Sequence, residues 1–135
     1  MLSAKSCLCL SALVCCCLPS LIYADSCPSV QIVKDRKISR AYAWYIDERR
    51  TLEDVLAVEK LYSARLKNNG EYVRCYYSGN GRLLEMDAWP LKAGCSIVEF
   101  KGEWEASDEQ ESVCNEEDVS MCQFALYCDE RGSKK

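Results

Sequence analysis

Two close carboxylate pairs, Glu53 with Asp54 and Glu85 with Asp87, are the side chains in this chain whose type and spacing could run acid–base chemistry. Such a pair hydrolyses a glycosidic bond when one carboxyl sits in an apolar pocket with a raised pKa while the other stays ionised. The expected setting of these four argues against that role. Glu53 and Asp54 fall in the first turn of an expected helix, where the dipole favours acids, and Glu85 and Asp87 fall on the polar side of an expected strand. The chain contains no histidine, which removes Ser–His and Cys–His nucleophile pairs together with the commonest metal ligand. We therefore expect no catalytic residue, no metal and no cofactor, and a carboxylate-based glycosidase ranks last among the functions considered.

Two other groups of residues suit recognition. Arg65, Lys67, Tyr72, Arg74 and Tyr76 share one side of two neighbouring expected strands, with Glu85 and Asp87 beside them on a third. That mixture of aromatic and guanidinium groups is enriched at protein interfaces and also stacks on sugars, although an ordinary solvated face has the same composition. The other group is acidic. Residues 71–135 carry seven basic side chains against fourteen acidic, and nine of those acids fall between Glu99 and Asp118. Glu103, Glu105, Asp108 and Glu109 form the part of this run that would dock a basic protein; a solvated acidic loop is the plainer alternative. Nucleic acid is excluded as a partner, because phosphate binding needs clustered Lys and Arg.

The cysteines set the compartment. Lys5, the apolar run Leu8–Leu18, Pro19 and the small residue Ala24 read as a secretory signal peptide over 1–24, too short to span a bilayer. Cleavage after Ala24 would leave 111 of the 135 residues, one domain over 25–128, and with Lys5 gone the 17 basic residues become 16 against 21 acidic, a net charge of −5. It would also remove five of the eleven cysteines, leaving Cys27, Cys75, Cys95, Cys114, Cys122 and Cys128. Six cysteines in a small exported domain point to disulfides, and the absence of histidine and of any C-x-x-C pair speaks against zinc. Fifteen pairings of six cysteines stay open; Cys27 with Cys75 and Cys114 with Cys122 are the two we expect.

The elements that position these residues centre on 61–89. Asn69-Gly70 and Asn80-Gly81 separate runs rich in Tyr, Val, Leu and Met, the strongest short-range signal for type I′ hairpins. Counting outward from the turns sets Tyr77 opposite Tyr62 and Leu84, Cys75 opposite Ala64 and Met86, and Val73 opposite Leu66 and Ala88. Both turns agree on one apolar face, and a one-residue slip would send every apolar residue to solvent. Arg65 opposite Arg74 is the one poor pair.

Around this three-strand meander, a helical turn is expected from Pro28 and a strand over Lys37–Asp47, with Ile38, Arg40, Tyr42, Trp44 and Ile46 on one side. Thr51 caps a helix over Leu52–Lys60 that should cover part of the apolar face. Trp89-Pro90 opens a loop, and Cys95–Lys101 alternates as a strand. Glu105–Ser112 has the composition of a mobile loop, Asn115 could cap a turn, and Cys122, Phe124, Leu126 and Cys128 share one side of a last strand. The tail over 129–135 reads as disordered. The expected fold class is thus α+β, mostly antiparallel β: a single disulfide-stapled domain of about six strands and one short helix.

The order Cys27-Pro28, Ala43-Trp44, Cys75-Tyr76-Tyr77, Trp89 and Cys95 resembles a family of small exported domains of unknown function from intracellular gammaproteobacterial pathogens. More loosely, it resembles the periplasmic EirA-type proteins associated with the Dot/Icm type IV secretion system. That resemblance implies an envelope or secretion-associated factor, periplasmic or secreted, and brings no catalytic residue with it. Three functions are therefore expected, in order: a non-enzymatic interaction protein supporting a secretion system or intracellular growth, with a protein partner in the bacterial envelope or host; an inhibitor of a basic hydrolase such as lysozyme; and the glycosidase.

Overall fold

The computed structural model of the chain describes residues 24–35 and 42–129. The expected signal peptide up to residue 23, residues 36–41 of the first expected strand, and 130–135 of the expected tail lie outside the described residues. In chain order the elements are β1 (Ala24–Ser26), α1 (Val30–Asp35), β2 (Tyr42–Ile46), α2 (Leu52–Leu56), β3 (Lys60–Lys67) and β4 (Tyr72–Gly79). They continue with β5 (Arg82–Pro90), β6 (Cys95–Lys101), β7 (Trp104–Asp108), β8 (Glu111–Cys114), a 3-10 turn over Val119–Met121, and β9 (Gln123–Cys128). All pairings are antiparallel, in a six-stranded sheet ordered β2-β5-β4-β3-β8-β7 and a three-stranded sheet ordered β1-β9-β6.

The expected class, a small disulfide-stapled α+β domain, is the one observed. Its element count is higher among the described residues, because the strands β1, β7 and β8 join the expected set.

The meander holds its register almost throughout. Val73 lies opposite Leu66 and Ala88, Cys75 opposite Ala64 and Met86, and Tyr77 opposite Leu84. These inward residues are buried and form the centre of one core. Tyr62 departs from expectation. A bulge between Leu61 and Ser63 sets Leu61, not Tyr62, opposite Tyr77. The extra residue of a bulge breaks the two-residue alternation, and Tyr62 ends up exposed beside Tyr76, their ring centres 5.9 Å apart.

The second turn has positive φ at Asn80 and Gly81, as a type I′ turn requires. The first is centred one residue earlier than expected. Asn68, Asn69 and Gly70 all have positive φ, and the Gly70 N–H donates to the Lys67 carbonyl at 3.1 Å. Lys67 still pairs with Tyr72, so the register survives. Gly70 also joins the two sheets: the Ile97 N–H donates to its carbonyl at 2.7 Å, and a Cβ at Gly70 would stand 2.1 Å from the Ile97 carbonyl oxygen.

Several local expectations are corrected. The helix expected from Pro28 begins at Val30, where the Ser29 hydroxyl accepts from the Ile32 N–H. In α2 the capping box forms as expected, Thr51 Oγ1 accepting from Asp54 N–H and Asp54 accepting from Thr51 N–H. That helix stops at Leu56, however, and covers little of the sheet, since Leu52 and Leu56 are both exposed. The chain leaves it to join β4: the Glu59 N–H donates to Ser78, and Gly79 lets the Ala57 backbone approach where a Cβ would meet its oxygen at 2.1 Å. Trp89 and Pro90 belong to β5 rather than to a loop, with Pro90 as the last residue of that strand. A proline at a strand end interrupts no internal ladder bond.

The largest correction is the acidic segment. Glu105–Ser112 is folded into the β7–β8 hairpin, because β8 supplies a partner for the open edge of β3 through Arg65 with Val113 and Leu66 with Ser112. Tertiary pairing outweighs composition here. Asn115 caps no helix; its N–H donates to Glu103, and the 3-10 turn is capped by Asp118, which accepts from Ser120 N–H.

Three disulfides staple this frame. Cys27–Cys75 and Cys114–Cys122 are the two expected, and Cys95–Cys128 joins directly paired residues of β6 and β9. Cys27–Cys75 pins the N-terminal segment across the core, reinforced by the buried Tyr77 hydroxyl, which donates to the Pro28 carbonyl at 2.7 Å. No helix among the described residues is long and apolar enough to cross a membrane.

Candidate functional site

The second face of the six-stranded sheet points away from this core, and it collects the residues singled out for recognition. Strand alternation puts Arg74 and Tyr76 beside Asp87 and Glu85 on that face, with Arg65 and Lys67 on the neighbouring strand. The Arg74 guanidinium grips Asp87 with two bonds, of 2.7 and 2.9 Å, and lies 3.5 Å from Glu85. A planar fork on a carboxylate is the strongest of the protein ion pairs. This pairing holds the Arg74 pKa well above its ordinary value.

The juxtaposition of Arg65 and Arg74 is real, and it is relieved from outside the meander. Glu111 on β8 accepts from Arg65 at 2.6 Å and from Lys67. Those two donors, Lys67 first and Arg65 second, hold the Glu111 carboxyl at about 2. Each cation thus has a carboxylate partner, Glu111 serving both Arg65 and Lys67.

The aromatic residues are ordered by the same network. Tyr72 stacks on Trp89 with ring centres 4.3 Å apart, and the Arg74 guanidinium lies 5.6 Å over Tyr72. Arg65 lies 5.6 Å over Tyr76, which also touches Tyr62. Tyr45, paired with Asp87, and Leu83, paired with Ser78, extend the face with exposed side chains. Chemically the arrangement offers rigid ring faces and amphipathic edges whose charges are already matched, a surface suited to packing against a partner.

All seven residues expected at this face are brought together there. Glu111, Trp89 and Tyr62 were missed as members of it. Tyr62 had a signal: Leu61 and Ala64 are three apart yet both apolar, which breaks a period of two. Glu111 had none of comparable strength, since no turn residue marks the hairpin that carries it.

The other expected residues are elsewhere. Glu103, Glu105, Asp108 and Glu109 are all exposed, from the residue just before β7 to the turn after it, with the Glu105 carboxylate accepting from the Asn115 side chain. Of the carboxylate pairs, Glu85 and Asp87 share Arg74, whereas Asp54 serves the α2 cap and accepts from Arg82 at 2.9 Å. The six cysteines are consumed by the disulfides, and no group of three or more potential ligand side chains among the described residues is placed to hold a metal. Comparison of the chain with protein-family models, with curated proteins and with solved structures finds no match.

Proposed function

We propose that the chain is an exported binding protein with no reaction of its own, which recognises a protein partner in the bacterial envelope or the host through the outer face of its six-stranded sheet. The observation that carries this reading is the Tyr72–Trp89 stack set among matched ion pairs. Rings held in place before binding lose little side-chain freedom on association, which favours affinity. Three disulfides in a domain of this size belong to an oxidising compartment. With the leader expected over 1–24, that compartment is the periplasm or the exterior, and the resemblance noted above makes support of a secretion system or of intracellular growth the expected role. Affinity purification with crosslinking from the native cell tests it. A partner recovered by the wild-type protein, and lost with Tyr72→Ala combined with Trp89→Ala, supports the proposal; recovery no different from a charge-matched control domain contradicts it.

A second reading is an inhibitor of a basic hydrolase such as lysozyme. It is favoured by the finding that Glu103, Glu105, Asp108 and Glu109 are displayed on or beside a folded hairpin at one end of the sheet. Charge complementarity of this kind steers association and weakens with salt. Neutralising the four acids should weaken a salt-sensitive inhibition, and unchanged lysozyme activity with excess protein rules this reading out.

A further inference from the structure

The three disulfides differ in what shields them. Cys27, Cys75, Cys114 and Cys122 are all buried in the shared core. Cys128, by contrast, is exposed and Cys95 half-buried. These two stand directly opposite each other where β6 begins and β9 ends, so their bridge closes the end of the small sheet and does not cross packed layers.

Backbone pairing holds the same two residues together without the bridge. On one side of it β6 and β9 stay paired from Ser96 with Tyr127 to Glu99 with Phe124, and Ile97 and Phe124 are buried. On the other side the Asp129 N–H donates to the Gly94 carbonyl at 3.1 Å. Parting the sulfurs therefore leaves the strands in register and the two thiols facing each other. The other bridges have no such independence. Cys27–Cys75 ties the N-terminal segment across the core, Cys114–Cys122 ties β8 to the 3-10 turn, and a thiol reaches either only when the packing around it opens.

Exchange requires a thiolate to reach a disulfide sulfur, and exposed bridges are the labile ones in folded proteins. We propose that Cys95–Cys128 is a thiol–disulfide exchange site, opened and closed by a dithiol protein of the Cys-x-x-Cys kind while the fold and the two buried bridges stay intact. The partner's thiolate attacks the exposed Cys128 sulfur, and the Cys95 sulfur leaves as a thiolate that takes a proton from solvent. The partner's second thiol gives up its proton, attacks the mixed disulfide and releases Cys128 as a thiolate, which is protonated in turn. Two electrons pass: the bridge is reduced to two thiols and the partner's dithiol is oxidised to a disulfide. The same steps reversed restore the bridge. This site goes beyond the binding role proposed above and does not depend on it.

The test exposes the oxidised protein to dithiothreitol in native buffer, alkylates freed thiols at intervals, and times each bridge by peptide mass mapping while near-ultraviolet circular dichroism follows packing. Cys95–Cys128 should be reduced at least about tenfold faster than either buried bridge, with the dichroism signal kept. A thioredoxin-type protein whose second Cys-x-x-Cys cysteine is replaced by serine should be trapped as a mixed disulfide on Cys128. The double variant Cys95→Ser with Cys128→Ser should keep the wild-type dichroism and trap nothing. Reduction of all three bridges together as packing is lost overturns the proposal, and so does earlier reduction of a buried bridge. Absence of the trapped adduct, its attachment equally or mainly to Cys95, or a double variant without the wild-type dichroism also overturns it.

Discussion

The outer face of the large sheet and the cleft beside β6 share one hairpin yet treat charge in opposite ways. On the outer face Arg65, Lys67 and Arg74 are matched by Glu111, Asp87 and Glu85. In the cleft, which is lined by Leu66 of β3, Ile97 of β6 and Ala106 of β7, the carboxylates of Glu99, Asp108 and Glu109 meet no cation among the lining residues. A matched network spends its electrostatics on its own geometry, leaving ring faces for contact, whereas an unmatched one leaves its field for a ligand. Binding at the outer face should accordingly depend on aromatic packing and little on salt, and docking of a basic protein on the acidic hairpin the reverse.

The largest effects should come from breaking the frame both surfaces share. Removing Cys27–Cys75, which spans 48 residues, with paired alanines should cost ~4 kcal/mol by loop entropy and weaken both surfaces together. Removing Cys114–Cys122, which spans 8 residues, should cost only ~2.5 kcal/mol and act mainly on the acidic hairpin. Urea denaturation of the two double variants checks the order.

The difference between the surfaces is sharpened by single charges. Arg74→Ala leaves the partly buried Asp87 without its fork and should destabilise by about 1–2 kcal/mol. Acid should act in the same place. Because the Glu111 carboxyl is held at about 2 instead of its ordinary 4.5, its contribution is fully present above the ordinary value and is lost as pH falls from about 4.5 through about 2. Acid unfolding of Glu111→Gln should lack that component. The smallest change belongs to the cleft, where Glu99→Gln should alter stability by less than about 0.5 kcal/mol in the same urea denaturation, Glu99 being exposed.

Legibility in the sequence followed the range of the interactions involved. The meander register was readable because two Asn-Gly turns and a period of two agree locally, and the cap of α2 because a capping box is complete within four residues. The hairpin β7–β8 was not, since its reason for being ordered lies in the edge of β3, far away in the chain, and its composition alone resembles a loop. The outer face was therefore legible in the seven residues carried by the meander, and illegible in Glu111, the residue that makes Arg65 opposite Arg74 tolerable. The cleft could not be read at all, because Leu66, Ile97 and Ala106 come together only when the two sheets pack.

The claim that the outer face is the working surface is tested most directly by placing a photocrosslinking residue at Tyr45, on that face, and in a second protein at Tyr127, an exposed position on the three-stranded sheet, and irradiating native cells. A discrete adduct is expected from the Tyr45 position and none like it from Tyr127. No adduct from Tyr45, or the same adducts from both positions, would contradict it.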